Sequence, residues 1–126
     1  MINRVGLFLF FFIIIISCSL NRSEELILVP LVKDGKVGFY NQKGKMIIPH
    51  NFIETGDFSN GLCLVKAENG LYGFIDETGK YTCNPQYFLA YTFNNKDMPT
   101  LAVKIDKNNN KKFGFIDRFG NEVIAF

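Results

Sequence analysis

Leu71–Lys80 (LYGFIDETGK) is the stretch that decides the fold, because its pattern occurs three times in the chain. The other two copies are Lys36–Lys45 (KVGFYNQKGK) and Lys112–Asn121 (KFGFIDRFGN). Each block holds two glycines that stand six residues apart, and the blocks recur at spacings of 35 and 41 residues. Self-similarity at such a period is typical of repeat architectures. The six repeat glycines are Gly38, Gly44, Gly73, Gly79, Gly114 and Gly120.

Each block predicts a β-hairpin. In the second block, strand-prone residues 74–76 meet a turn whose first residue, Asp76, can hydrogen-bond the backbone two residues on. Gly79, at the fourth position, adopts a positive φ at no steric cost, so we expect a type I turn that closes with a left-handed glycine. Pro49 and Pro85 follow the returning strands of the first two copies. We expect them to end those strands, because proline cannot donate to a β-ladder.

The first glycine of each block, at positions 38, 73 and 114, falls inside a predicted strand. Glycine weakens a strand unless something needs the space that a side chain would fill. Two explanations remain open. An aromatic ring of the neighbouring copy packs over the glycine, or the strand carries a β-bulge there.

The fold class that these patterns predict is all-β, an array of about three hairpin repeats over residues 26–126. No stretch after Ser23 shows a sustained helical period, so no long helix is expected. Because a lone hairpin is marginal in water, the copies should fold together around one shared apolar seam. The predicted seam consists of Phe39, Phe58, Leu64, Phe74, Ile75, Phe93, Val103, Phe115 and Ile116.

The ordered block Gly-Phe-(Tyr/Ile)-(Asn/Asp)-x-x-Gly resembles the WG-repeat family, whose copies continue with a Val-Ile-Pro segment and a Phe-Ser-x-Gly-Leu segment. The resemblance covers about residues 26–126, and Asp57–Leu62 matches the last segment. The signature Trp is absent from every copy, and Val37, Tyr72 and Phe113 stand in its place. The resemblance implies a general interaction role and no defined substrate.

The N-terminal segment predicts a lipoprotein signal peptide. Val5–Ile16 is an unbroken apolar run of twelve residues after a single positive charge, Arg4. It is shorter than the roughly 20 residues of a spanning helix and fits the apolar region of a secretory signal. Ile15–Cys18 resembles the bacterial lipobox, which implies cleavage before Cys18 and a diacylglyceryl group on its thiol. An ordinary signal peptide or an uncleaved anchor is the alternative.

The resulting organisation has three parts. Residues 1–17 are the expected signal peptide, 18–25 the lipidated Cys18 with a polar tether, and 26–126 the repeat domain. The lipobox resemblance implies a bacterial cell-envelope protein, periplasmic or surface-exposed, whose membrane partner is reached through the lipid on Cys18.

Composition excludes several function classes. Fourteen Lys and Arg against 12 Asp and Glu give a net charge of +2, which makes no electrostatic case for nucleic-acid binding. With one His and three Cys, no metal or cofactor is expected. Residues 106–110 imitate the start of a calcium loop, but Lys111 stands where that loop requires glycine. His50 with Asp57 is the sole candidate for a general base and its partner, and a plain loop residue is the simpler interpretation.

Two further sets of residues stand out. Cys63 and Cys83 would be the pair available for a disulfide beyond the cytoplasm, although a buried free thiol at Cys63 is the simpler interpretation. Four aromatic residues lie around the loops that follow the prolines, where they form either an interaction patch or packing between copies. They are Phe52, Tyr87, Phe88 and Tyr91.

The function expected from the sequence is a non-catalytic binding or scaffold module of unknown ligand, with a possible protein partner. Two alternatives stay open. One is a structural envelope lipoprotein that self-associates through exposed strand edges. The other is an envelope enzyme that uses His50 and Asp57.

Overall fold

A computed structural model describes residues 25–126. The predicted signal peptide and Cys18 lie outside the described residues. The described chain forms eleven strands and no helix, which confirms the all-β prediction, and no helix there is long and apolar enough to cross a bilayer. The strands are β1 (Val29–Lys33), β2 (Lys36–Tyr40), β3 (Met46–Phe52), β4 (Glu54–Thr55), β5 (Leu62–Lys66), β6 (Tyr72–Asp76), β7 (Tyr81–Tyr87), β8 (Leu89–Ala90), β9 (Thr100–Ile105), β10 (Lys111–Ile116) and β11 (Glu122–Ile124).

The strands form three antiparallel sheets. Sheet 1 has the order β1-β2-β3, sheet 2 the order β4-β5-β6-β7, and sheet 3 the order β8-β9-β10-β11. The last strand of sheet 1 and of sheet 2 passes through one residue, Ile53 or Phe88, into the short first strand of the next sheet. Each sheet is therefore tied to its neighbour by a strand that changes sheets at a bend.

The hairpin turns follow the predicted chemistry. In the turn of the second block, the Gly79 N–H donates to the Asp76 carbonyl (3.0 Å), and Gly79 has a φ of 86°. The Asp76 Oδ1 accepts from the backbone N–H groups of Thr78 (2.9 Å) and Lys80 (3.1 Å). Gly44 and Gly120 adopt the same positive φ in the other two blocks. Short polar side chains at the first turn position thus hold each hairpin tip.

A bulge explains the strand glycine of the first two copies. Val37 pairs with Phe52 and Phe39 pairs with Ile48, so three residues of β3 lie opposite Gly38 alone. The second sheet repeats this at Gly73, where a Cβ would stand 2.6 Å from the Cys83 carbonyl oxygen. The missing Cβ leaves room for the backbone of the paired strand. This confirms the β-bulge as the explanation, and the explanation by an aromatic ring of the neighbouring copy is wrong. In the third copy a Cβ at Gly114 would meet the Ile124 carbonyl oxygen at 2.8 Å and the Phe126 ring at 2.9 Å, both from the same copy.

The prediction that Pro49 and Pro85 end their strands is wrong. Both prolines lie inside β3 and β7, at the bulge opposite the strand glycine. A bulged residue is left out of the ladder, so the missing N–H of proline costs no hydrogen bond there.

The apolar side chains form two cores, and the prediction of one continuous seam is wrong. Successive residues of a strand point to opposite faces, so the central sheet contributes Ile75 to one core and Phe74 to the other. Core 1 lies between sheets 1 and 2, and core 2 between sheets 2 and 3. Phe115, predicted in the seam, is 37% exposed because it lies on the outer face of sheet 3. Core 1 contains Leu28, Phe39, Ile48, Phe52, Cys63, Val65 and Ile75, and core 2 contains Leu62, Phe74, Cys83, Tyr87, Ala90, Phe93, Ala102 and Ile116.

Candidate functional site

The four predicted aromatic residues divide into two buried and two exposed side chains. Phe52 belongs to core 1 and Tyr87 to core 2, and each is at most 3% exposed. Their assignment to a surface patch is therefore wrong, because they end the long strands β3 and β7 and pack between sheets. Phe88 and Tyr91 remain accessible, with 46% and 52% of their surfaces exposed.

Phe88 and Tyr91 flank the edge strand β8. The Phe88 N–H donates to the Val103 carbonyl (2.8 Å), and the Tyr91 N–H donates to the Leu101 carbonyl (3.1 Å). The Lys111 Nζ lies 5.4 Å from the centre of the Phe88 ring, within the range of a cation–π contact. The two rings are thus held on a hydrogen-bonded sheet edge beside a positive charge.

The structure does not bring His50 and Asp57 into hydrogen-bond contact. The half-buried His50 lies at the bulge of β3, where its ring makes an edge contact with Tyr40 at 5.7 Å between centres. Asp57 is exposed in the loop that follows β4. No hydrogen bond joins these two described residues, so the geometry gives His50 no carboxylate to orient it as a base.

The two described cysteines are free and buried, and the suggested disulfide between them is wrong. Cys63 belongs to core 1 and Cys83 to core 2, on opposite faces of sheet 2. Burial, and then the charge of Asp57, raises the pKa of the Cys63 thiol to about 12. The Cys83 thiol donates to the Tyr87 hydroxyl (3.5 Å). Neither thiol is placed as a nucleophile or a metal ligand.

The calcium-like segment is another hairpin tip. The Asp106 Oδ1 accepts from the backbone N–H groups of Asn108 (2.8 Å) and Asn110 (2.9 Å). Asn109 has a φ of 63° and takes the place that glycine holds in the other turns. The hydrogen bonds from Asn110 lower the pKa of Asp106, which favours the ionised carboxylate as the acceptor in this turn. Within residues 25–126, no cluster of three or more His, Cys, Asp or Glu could hold a metal ion.

A groove of about 670 Å³ lies between the segment that precedes β1 and loops of the second and third copies. Its charges are mixed, since Glu25, Asp57 and Glu77 face the same space as Lys96 and Arg118. The Arg118 Nη2 donates to the Asn60 carbonyl (3.3 Å), which links the third copy to the second. Sequence reasoning missed this groove, because its residues lie far apart in the chain and only the packing of the sheets brings them together.

A family model described as "WG containing repeat" matches residues 38–72 and 72–108, which together are more than half of the chain. No curated protein and no solved structure matches the chain. The matched residues include both glycines of the first and of the second block and the bulged strands β3 and β7.

Proposed function

The chain belongs to the WG-containing repeat family, and from this premise we propose that it is a non-catalytic module that binds a protein partner while anchored to a bacterial envelope membrane. The anchor is the lipid on Cys18. The partner-binding residues are Phe88 and Tyr91.

The sequence around Cys18 supports the anchor. A short apolar run, an aliphatic pair and a small residue before the cysteine are the features that lipid attachment requires. Each buried CH₂ contributes about 0.8 kcal/mol, so a thioether-linked diacylglycerol holds a protein far more durably than one chain does. The polar residues up to Glu25 then connect the lipid to β1.

One observation carries the binding role, namely the exposure of Phe88 and Tyr91 on the edge strand of a rigid sheet. Aromatic rings provide large contact areas at a low entropic cost, which is why they dominate interaction surfaces. The free edge of β8 adds unpaired backbone groups on which an extended partner segment can pair. Lys111 beside Phe88 favours a partner segment that carries acidic residues.

Intact-mass analysis of the native protein tests the anchor. We expect loss of residues 1–17 and the added mass of acyl chains on Cys18. Cys18→Ala should leave the membrane fraction, whereas the matched variant Cys63→Ala, altered in core 1, should stay in it. A native mass without acyl chains contradicts the anchor.

Quantitative co-purification from envelope membranes tests the binding role. The double variant Phe88→Ala with Tyr91→Ala should lose the partner that the native chain retains, since both rings are removed. Met98→Ala removes an equally exposed apolar side chain outside β8 and should retain the partner. Equal recovery with the double variant overturns the assignment of these two residues.

A further inference from the structure

Each contact between sheets joins the same two faces. The strand register defines equivalent positions, because Val65 pairs with Gly73 and Ala102 pairs with Gly114. Core 1 joins Phe39 of sheet 1 to Val65 of sheet 2, and core 2 joins Phe74 of sheet 2 to Ala102 of sheet 3. The phenylalanine face of one sheet therefore packs on the glycine-partner face of the next.

The outer face of sheet 3 repeats the phenylalanine face but is uncovered in the described chain. Phe115 is equivalent to Phe39 and Phe74, and its partner Ile124 is equivalent to Ile48 and Cys83. Phe39 and Phe74 are 1% exposed, whereas Phe115 and Ile124 are 37% and 58% exposed. The sheet 3 outer face comprises Leu89, Phe113, Phe115 and Ile124.

At one edge of this face, apolar residues stand where sheet 2 has an ion pair. In sheet 2, Lys66 pairs with both Glu54 and Tyr72, and Glu54 accepts from the Lys66 Nζ (3.0 Å) and the Tyr72 hydroxyl (2.9 Å). The equivalent positions of sheet 3 hold Leu89, Val103 and Phe113. An ion-paired margin has become apolar at the outermost sheet, although Phe113 is 59% exposed there. A contiguous exposed apolar face of this kind marks an interaction surface.

The outer face of sheet 1 is the complementary face. Leu31 pairs with Gly38, which makes it equivalent to Val65 and Ala102, and Val29 is equivalent to Cys63. The three equivalents are buried, whereas Leu31 and Val29 are 48% and 43% exposed. The sheet 1 outer face comprises Val29, Leu31, Tyr40 and Met46. Val29, Leu31 and Met46 are apolar, and Tyr40 adds an aromatic ring.

We propose that the sheet 3 outer face of one molecule packs on the sheet 1 outer face of a second copy of this chain, with Phe115 against Leu31. The internal interfaces favour this occupant, because both halves of the contact are already present and continue the stacking seen twice within the chain. The contact is head to tail, so it leaves a free face at each end and allows further copies to add. The inference goes beyond the partner binding proposed above, because its occupant is a second copy of this chain and the contact that it assigns joins Phe115 to Leu31.

Cross-linking between two tagged forms of the full chain, expressed together in cells, tests the stacking. One form carries Phe115→Cys and the other Leu31→Cys, and a short bismaleimide joins thiols that lie close together. We expect a covalent heterodimer of the two tags from the mixture and its loss when either form is expressed alone. Asn94→Cys, an exposed loop position outside both faces, replaces Phe115→Cys as the matched control and should give no heterodimer.

Three outcomes overturn the proposal. The first is no heterodimer although both thiols react with a monofunctional maleimide. The second is cross-linking of Phe115→Cys with itself, which would mean that two sheet 3 faces meet. The third is a Leu31→Cys thiol that stays unreactive when its form also carries Phe113→Lys, because cover that survives the loss of stacking would come from residues 1–24 or another protein.

A charge variant gives an independent check. Phe113→Lys in the Phe115→Cys form places an ammonium group in the contact and should abolish the heterodimer, whereas Met98→Lys should not. An undiminished heterodimer with Phe113→Lys overturns the assigned face. Co-purification measures the partner of Phe88 and Tyr91, whereas the cross-link measures the contact of Phe115 with Leu31, so failure of the partner-binding proposal and failure of the stacking can be told apart.

Discussion

Asp76 shows how one side chain fixes a hairpin tip. Its carboxylate accepts a hydrogen bond from the Thr78 hydroxyl and two more from the backbone of Thr78 and Lys80. These bonds, with that of the Thr78 hydroxyl the largest, lower the pKa of Asp76. A lowered carboxyl pKa contributes stability that is present above the unfolded value, near 3.9, and is lost as the pH falls through the folded pKa.

Asp76→Ala should lower the free energy of unfolding by about 1 kcal/mol at pH 7, since the backbone donors of the turn lose their acceptor. Asp76→Asn is the matched control, because Asn41 fills the same place and its Oδ1 accepts from the Lys43 and Lys45 N–H groups at 3.0 and 2.9 Å. It should retain most of the stability and lose part of the acid dependence. Urea titrations at pH 7 and pH 3 measure both effects, and equal stability of Asp76→Ala and the native chain would contradict the role of the turn.

Gly73 and Gly44 have different reasons to be glycine. A Cβ at Gly73 would lie 2.6 Å from the Cys83 carbonyl oxygen and 2.8 Å from the Pro85 nitrogen, both backbone atoms. Gly44 has open space around it and needs only its φ of 76°. Gly73→Ala should therefore destabilise the chain by about 1–3 kcal/mol, the range for overpacking.

Gly44→Asn should be nearly neutral, because Asn109 holds the equivalent turn position with a φ of 63°. Thermal melting of the two variants by circular dichroism gives the comparison. A larger loss for Gly44→Asn than for Gly73→Ala would mean that the bulge does not need the strand glycine.

Cys63 should make folding sensitive to alkaline pH. Its folded pKa, near 12, exceeds the value of an unfolded thiol, near 8.5, so its contribution is fully present below the unfolded value and is lost as the pH rises between the two. We expect Cys63 to resist a thiol reagent at pH 8 until urea unfolds the chain. Cys63→Ala should lessen the alkaline loss of stability, and rapid labelling of Cys63 in the native chain would contradict its burial.

At the scale of the strand and hairpin, the sequence predicted what depends on local chemistry. The turns, the antiparallel pairs and the strand character of each block follow from residue types close together in the chain. The course of β3 and β7 through Pro49 and Pro85 was missed, because a bulge opposite a glycine depends on the strand across from it. Only the strand register shows that Pro49 lies opposite Gly38 and Pro85 opposite Gly73.

The longer second spacing also has an explanation that lies in the pairing. The turn from Asp106 to Asn110 has five residues, as has the turn from Ala67 to Leu71 at the equivalent place in sheet 2. The β9–β10 hairpin is longer than the β5–β6 hairpin by two pairs, Lys104–Lys112 and Ile105–Lys111. A ladder extended by two pairs adds four of the six extra residues, and the loop between β8 and β9 adds the other two.

A single repeat should not fold alone. A peptide of residues 54–87 contains all of sheet 2, but both faces of that sheet contribute to cores whose other halves come from sheets 1 and 3. We expect no cooperative melting of this peptide by circular dichroism, whereas residues 25–126 should melt cooperatively. Cooperative melting of the peptide would show that the contacts between sheets are not required.

At the scale of the molecule, the sequence predicted the number of copies but not the side on which each residue packs. Phe74 and Ile75 were assigned to one seam because both are apolar, although adjacent residues of a strand face opposite ways. The same alternation separates Cys63 from Cys83. The assignment of Phe52 and Tyr87 to a surface patch failed for a related reason. Both residues lie near loops in the sequence, but each is the last residue of a strand and packs between sheets.

The one-residue bends at Ile53 and Phe88 bear on how proteins of this kind change in length. Each bend joins a complete sheet to the next without a dedicated linker, and the bends lie 35 residues apart, the same distance as the first two glycine blocks. Duplication of a gene segment of 35 codons would therefore insert one further sheet, joined to its neighbours by the same kind of one-residue bend. The protein can then lengthen by one sheet at a time, and each new junction repeats the existing one-residue bend.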